Sequence, residues 1–348
     1  MYENNQSSVI DTFTTELRPD GTYLQSRDKG VASIYILKAL GAFFVVCIHC
    51  RLDSRILYPV IHTAVPFFFM ISGYFLFTPD KEGAIDRCVR SLSRIFRITI
   101  YANLFYYIAF YLPEDMLPLK SLREIVAFIT IGDGLGTHLW YLNAYVETLI
   151  LVILALRVDR LKWLWWCIPL FLLFGLAAGT YQFLFSFLPN KLTLSRNFLT
   201  TGVTCFGIGW LMRQYGAALL RRVKSPALLT CLLLILSVAE TFLIMRGGHL
   251  LKGDYIITTM PLSALMLLTA VKYPNWGRGS VADSIGRKYS LDIYIFHLFV
   301  LQMIAAVNFQ YLDIQQGIFR IIFAPATYLL TIVFVYIWQK FPRFGPDF

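Results

Sequence analysis

A cation and an imidazole share one apolar run of this chain: Lys38 and His49 in ASIYILKALGAFFVVCIHC. On a helix, their spacing sets them about 16 Å apart along the axis. A neutral imidazole can take a proton from a hydroxyl or attack an acyl carbon, and a held ammonium suits an anion. Both groups are expensive in hydrocarbon, so an ionisable residue inside a span is by default a functional-site hypothesis. The plainer alternative is that Lys38 snorkels to the near headgroups while His49 sits wet at the far interface.

Further groups can do chemistry. In RCVRSLSRIFRI, Arg87, Arg90, Arg94 and Arg97 recur at helical spacing and are expected on one face. Such a stripe holds anionic lipid headgroups or grips nucleotide phosphates through the guanidinium fork. In HLWYLNAYVETL, His138, Trp140 and Tyr141 stand at the mouth of a span, either as an aromatic interface anchor or as site residues. Glu147 lies deeper, a carboxylate in need of a partner, for which Arg196 and Asn197 are the candidates. YSLDIYIFH places Tyr289, Ser290, Asp292, Tyr294 and His297 within a few turns. Asp292 and His297 project about 140° apart and need not touch, so His297 alone can be a hydrogen-bonded interhelical residue. Cys47 and Cys50 flank His49 at C-x-x-C spacing. Without a second ligand cluster they read as small apolar filler, and no metal is expected.

What must position these groups is a membrane bundle. The chain is 57% hydrophobic and 15% charged, and apolar runs of bilayer length recur between short polar breaks. The reading is an all-α polytopic membrane protein of about ten transmembrane helices, near 32–50, 57–78, 95–112, 138–156, 163–181, 198–213, 226–245, 255–271, 289–308 and 318–338. Residues 1–30 form a polar cytoplasmic tail without a signal-peptide pattern, 31–340 the transmembrane domain, and 341–348 a short cytoplasmic tail. In AVPFFFMISGYFLF, Ser72-Gly73 lets another backbone approach closely, and IGDGLG (131–136) reads as a turn. The net charge of +10 is not a nucleic-acid footprint. With the N-terminus inside, roughly twice as many Lys and Arg fall on the inner side as on the outer, the positive-inside bias, so both termini are expected in the cytoplasm and the protein in the cell's inner membrane. The outer loops carry Lys120, Arg123, Lys191, Arg246 and Lys252.

Taken in order, Lys38-x10-His49, VPFFFMISGYFLF with Arg94-x-x-Arg97 after it, HLWYL at 138–142, RNFLTTGVTCFGIGWLM at 196–212 and YSLDIYIFH at 289–297 resemble acyltransferase family 3 of integral membrane acyltransferases. The likeness is greatest to the single-domain enterobacterial common antigen O-acetyltransferase type, and it covers about 32–338. The resemblance implies transfer of an acyl group, usually acetyl, from cytoplasmic acyl-CoA to a hydroxyl of a cell-surface or lipid-linked glycan. It implies His49 as the catalytic histidine, Lys38 at a basic position often held by Arg, Arg94 and Arg97 (with Arg90 beside them) on the acyl-CoA side, and Trp140 as the aromatic of the fourth span. His138, Glu147, Arg196, Tyr289, Ser290 and His297 stand as acceptor-side or supporting residues. No permanently bound cofactor is implied; acetyl-CoA or another acyl-CoA is the donor substrate, and membrane lipids surround the bundle. No hydrolase-like domain follows the tenth span, so the bundle would complete the transfer itself.

His49 then acts as general base on the hydroxyl or as a nucleophile through an acyl-imidazole; sequence does not separate the two. A different class, a transporter, flippase or solute-binding membrane domain, also uses buried His and Asp, although inverted repeats with broken helices are not seen.

Overall fold

The computed structural model describes residues 14–17, 23–26 and 31–340, except 53, 113–120, 123, 126–127, 129–134, 190, 250, 252–253 and 313–315. Lys120, Arg123, Lys252 and the start of the IGDGLG turn therefore lie outside the described residues, as do most of the two predicted tails. A short antiparallel hairpin pairs β1 (Thr14–Leu17) with β2 (Tyr23–Ser26). From residue 31 onward, the described regular structure is helical.

In chain order the helices are α1 (Ala32–His49), α2 (Tyr58–Ile61), α3 (Ala64–Leu76), α4 (Lys81–Tyr106), α5 (Trp140–Arg157), α6 (Leu161–Trp166), α7 (Ile168–Ala178), α8 (Leu192–Ser195), α9 (Thr204–Gln214), α10 (Gly216–Arg222), α11 (Pro226–Arg246), α12 (Thr259–Lys272), α13 (Val281–Lys288), α14 (Ser290–Val307) and α15 (Gln316–Trp338). By length and composition, seven stretches can cross a membrane: Ala32–His49, Tyr58–Leu76, Trp140–Arg157, Leu161–Ala178, Pro226–Arg246, Ser290–Gln310 and Ile321–Trp338. The other three expected spans take different forms. The 95–112 stretch is the apolar end of the charged α4, continued by a π-helical turn at Tyr107–Tyr111. The 198–213 stretch is a π-helical segment, Phe198–Val203, feeding α9. The 255–271 stretch keeps only the shorter apolar α12.

Two glycines set one close crossing in the core. A Cβ at Gly73 of α3 would fall on the Phe206 carbonyl of α9, and one at Gly209 of α9 would fall on the Met70 carbonyl of α3. With no side chain at either point the two backbones touch directly, as small residues allow in membrane helices. The approach expected at Ser72-Gly73 is thus made, and its partner is α9. The start of α12 is held differently. The Glu240 carboxylate of α11 accepts from the Ile257 and Thr258 amides at 3.0 and 3.1 Å and from the Thr258 and Tyr181 hydroxyls, placing an anion on the donor end of a helix.

Candidate active site

His49 is the last residue of α1 because the chain reverses immediately after it. Arg51 takes a left-handed φ of 53°, Arg51 N donates to Ile48 O at 3.0 Å and Leu52 N to Cys47 O at 2.9 Å, the paired bonds of a Schellman ending. Glycine is the usual residue at that position, and a β-branched side chain there is a genuine outlier. Arg51→Val is therefore expected to destabilise the protein by about 1–2 kcal/mol while Arg51→Gly does not, read as the thermal midpoint in detergent.

Three imidazoles meet where α1 ends. The His49 ring centroid lies 5.0 Å from that of His297 and 6.0 Å from that of His138, and His138 and His297 are 5.0 Å apart. Two of the rings are fixed by backbone. His297, completely buried, directs Nδ1 at the carbonyls of Tyr294 (2.7 Å) and Ile293 (3.2 Å) in its own helix. His138, also buried, directs Nε2 at the Ile295 carbonyl at 3.0 Å. The same carbonyl receives the Tyr106 hydroxyl at 2.9 Å, and that hydroxyl accepts from Phe299 N at 3.2 Å. Ile295 O and Phe299 N are the pair that closes one helical turn, so Tyr106 and His138 engage α14 at the turn carrying His297. Tyr294 completes the wall, its hydroxyl donating to the His138 carbonyl. His49, by contrast, is half-buried, and among the described residues no hydrogen bond reaches its ring.

Beside this cluster Arg196 and Asp254 form a two-pronged ion pair, with side chains 28% and 15% exposed. The Arg196 guanidinium lies over the Trp140 ring, 5.3 Å from its centroid, and the Asp254 carbonyl contacts His62 Nδ1 at 2.9 Å. Burial works against a charge on Asp254. Arg196 more than reverses this through its charge and hydrogen bonds, with smaller pulls from His62 and His49, so the carboxyl is held below its usual range.

About three helical turns down α1 lies a group of cations. Lys38 Nζ is 5.6 Å from the Tyr35 ring centroid, and Arg287 lies over the same ring at 4.0 Å. The juxtaposition follows from Gly286, where a Cβ would strike the Tyr35 carbonyl, so α13 lies backbone to backbone against α1. Arg287 is paired with Asp283 at 3.2 Å. Arg94 and Arg287 lie within electrostatic reach of Lys38, and Asp292 within reach of Arg94. Lys38 thus has like charges for neighbours and, among the described residues, no carboxylate of its own. No group of three His, Cys, Asp or Glu among the described residues has a metal-holding arrangement.

A family model described as an acyltransferase domain matches residues 31–338. The chain belongs to acyltransferase family 3. Two curated proteins are also similar: an amino-acid racemase of Enterococcus faecalis, 26% identical over 315 residues covering 82% of this chain and 43% of that protein, and a serine/alanine racemase of Enterococcus gallinarum, 26% identical over 306 residues covering 79% and 41%. The chain spans less than half the length of these relatives. No solved structure matches.

Within the acyltransferase domain, the site residues expected from sequence divide. His49, His138 and His297 come together, with Trp140 and Arg196 at their edge. Tyr289 and Ser290 do not join them; they sit where α13 hands over to α14, the Ser290 hydroxyl bonded to Gly286 O at 3.0 Å, nearer the cation group. Glu147 is not partnered by Arg196, whose fork is taken by Asp254, nor by Asn197, whose Nδ2 donates to the Thr193 and Leu194 carbonyls at 3.1 and 2.9 Å. Among the described residues the half-buried Glu147 carboxylate has no hydrogen-bond or ionic partner. The arginine stripe splits as well: Arg87 and Arg94 are half-buried, whereas Arg90 and Arg97 are exposed. Arg87 reaches the Phe77 carbonyl that ends α3 at 3.3 Å. Cys47 and Cys50 are buried free thiols packed in the core, and all six cysteines are free. Asp254, Tyr106, His62 and Arg287 are site neighbours that the sequence pattern does not single out. An acidic residue just ahead of an apolar helix was the available signal for Asp254; nothing marked Tyr106 within its aromatic run.

Proposed function

We propose that this acyltransferase-family chain is an O-acyltransferase that moves an acyl group, acetyl in our reading, from cytoplasmic acyl-CoA to a hydroxyl of a cell-surface or lipid-linked glycan, as in the enterobacterial common antigen type. The observation that carries the reading is that one helix, α1, joins a cation group at Lys38 to an imidazole cluster at His49. Phosphates of the donor would sit beside Lys38, which has no carboxylate partner among the described residues and has Arg94 and Arg287 within electrostatic reach. The slender pantetheine arm then lies along α1 and brings the thioester to the cluster. There neutral His49 takes the proton from the attacking hydroxyl, the hydroxyl oxygen bonds to the acyl carbon, and CoA thiolate leaves and takes up a proton. The acyl-imidazole route uses the same residues with His49 as nucleophile. The positive-inside bias supports a cytoplasmic Lys38 end and cytoplasmic termini in a cell membrane.

The test is purified protein in lipid supplied with acetyl-CoA and a glycan fraction, reading CoA thiol release and acetyl mass on the glycan. A second reading, a solute-handling membrane domain without acyl transfer, would be favoured by binding or uptake of a solute without any CoA release. The split of the arginine stripe gives a sharper expectation. Arg94→Ala should raise KM for acetyl-CoA roughly tenfold or more, and Arg97→Ala, on the exposed side, only slightly.

A further inference from the structure

A base that works as an imidazole needs one nitrogen free of hydrogen and aimed at its target, and enzymes secure this with an acceptor that holds the other nitrogen's N–H. Around His49 the acceptors can be weighed one by one. Both carboxylate oxygens of Asp254 are engaged by Arg196. His138 also has a buried nitrogen without a partner among the described residues, Nδ1, since its Nε2 faces the Ile295 carbonyl; but its ring stands edge-on and farther away, at 6.0 Å, and a Cβ at Gly136 would sit 3.2 Å from that Nδ1, so the nitrogen borders its own loop. His297 is nearer, at 5.0 Å and tilted rather than edge-on. Its Nδ1 faces two carbonyls, which accept only, so in the neutral ring Nδ1 bears the hydrogen and Nε2 bears the lone pair. That Nε2 is fully buried and has no partner among the described residues, and a buried acceptor left empty is costly. The His49 and His297 rings are tilted 50° with centroids 5.0 Å apart. An N–H···N bond of about 2.9 Å between imidazoles in line sets centroids ~5 Å apart, so reorientation of the unbonded His49 ring completes the bond without moving a helix.

We propose that His297 Nε2 accepts the N–H of His49, fixing the tautomer and aim of the base, and that His297 is a positioning residue which itself touches neither donor nor acceptor. The role of His49 in this inference rests on the acyltransferase reading; the hydrogen bond does not. The carbonyls of Ile293 and Tyr294 make His297 a one-way acceptor, and Tyr106 and His138 steady the turn that carries it. When His49 takes a proton it becomes a donor at both nitrogens, and the bond to His297 persists through the step. A neutral imidazole does here what a carboxylate does in the familiar triads, without burying a second charge.

The test separates lock from acceptor. In His297→Asn the amide N–H stands near the Nδ1 position and can still meet the carbonyls, but nothing replaces Nε2; in His297→Gln the amide oxygen reaches toward Nε2. The expected result is that His297→Asn accumulates normally, keeps KM for acetyl-CoA and loses roughly 10²-fold or more in kcat, while His297→Gln recovers much of that loss. A purely structural role predicts the reverse order, with Asn near wild type, and that order would overturn the proposal. Histidine-nitrogen NMR of the resting protein reads the bond without any turnover: hydrogen on Nδ1 of His297, and a hydrogen-bonded His49 N–H that disappears in His297→Asn. Hydrogen found on Nε2 of His297 would overturn the proposal as well. If the wild type moves no acetyl group, the acyltransferase reading falls while the NMR measurement still decides the His49–His297 bond.

Discussion

Replacing His49 with Ala should reduce acetyl transfer by roughly 10²–10⁴-fold, the usual worth of a positioned general base, with little loss of protein from the membrane. The structural cost is small beside the kinetic one because the helix ending is held by backbone bonds of Arg51 and Leu52 and not by the His49 ring. The kinetic cost is large because the other two imidazoles are committed to the carbonyls of α14 and cannot swing into its place. The measurement is CoA release and acetylated product at saturating donor, normalised to protein abundance. Residual transfer at the wild-type rate would remove His49 from the chemistry.

The second large effect is on stability. Removing one partner of the Arg196–Asp254 pair, as in Asp254→Ala, should cost about 3 kcal/mol, near the low end for a broken buried pair because neither side chain is fully enclosed. Arg196 would be left over Trp140 with an unmatched charge. Replacing both, Arg196→Met with Asp254→Leu, should recover much of the loss, since apolar groups of similar volume often substitute for such pairs. Thermal midpoints of the wild type, Arg196→Met, Asp254→Leu and the double variant in one detergent measure the coupling. The pH dependence has a fixed sign. The Asp254 carboxyl is held below its unfolded value, so its contribution is complete above the ordinary carboxylate range and is lost as pH falls through the lowered value. Asp254→Ala should therefore flatten the acid limb of the stability curve.

These two residues show what the sequence made legible and what it hid. His49 stands out because an imidazole in an apolar run is chemically conspicuous, and the depth of each polar group can be counted along its helix. Which way a side chain faces cannot be counted in this manner, because it depends on how helices from distant parts of the chain are rotated against one another. Arg196 is a candidate partner for Glu147 by position along its span, yet its fork meets Asp254 from a loop. The arginine stripe shows the same limit within one helix. Seven residues return nearly to the same direction, so Arg87 and Arg94 point alike, whereas three residues turn the chain about 60° away and carry Arg90 and Arg97 outward. Span counting met a related obstacle. The π-helical segment at Phe198–Val203 and the broken stretch at His62–Thr63 are apolar enough to read as ordinary helices, and only packing against neighbours shows where they depart from regularity.

The seating of Gly286 on the Tyr35 carbonyl has a consequence for what the protein can use. It pins α13 and α14 alongside α1 pointing the same way, so Lys38 is matched by Arg287 at one end and His49 by His297 at the other. Two stiff rods fastened in register make a gauge of constant length, about 16 Å by helical rise. Under the acyltransferase reading, a donor is admitted by its span as much as by its headgroup: a small acyl phosphate, whose anion and carbonyl are neighbours, can satisfy one end of the gauge but never both.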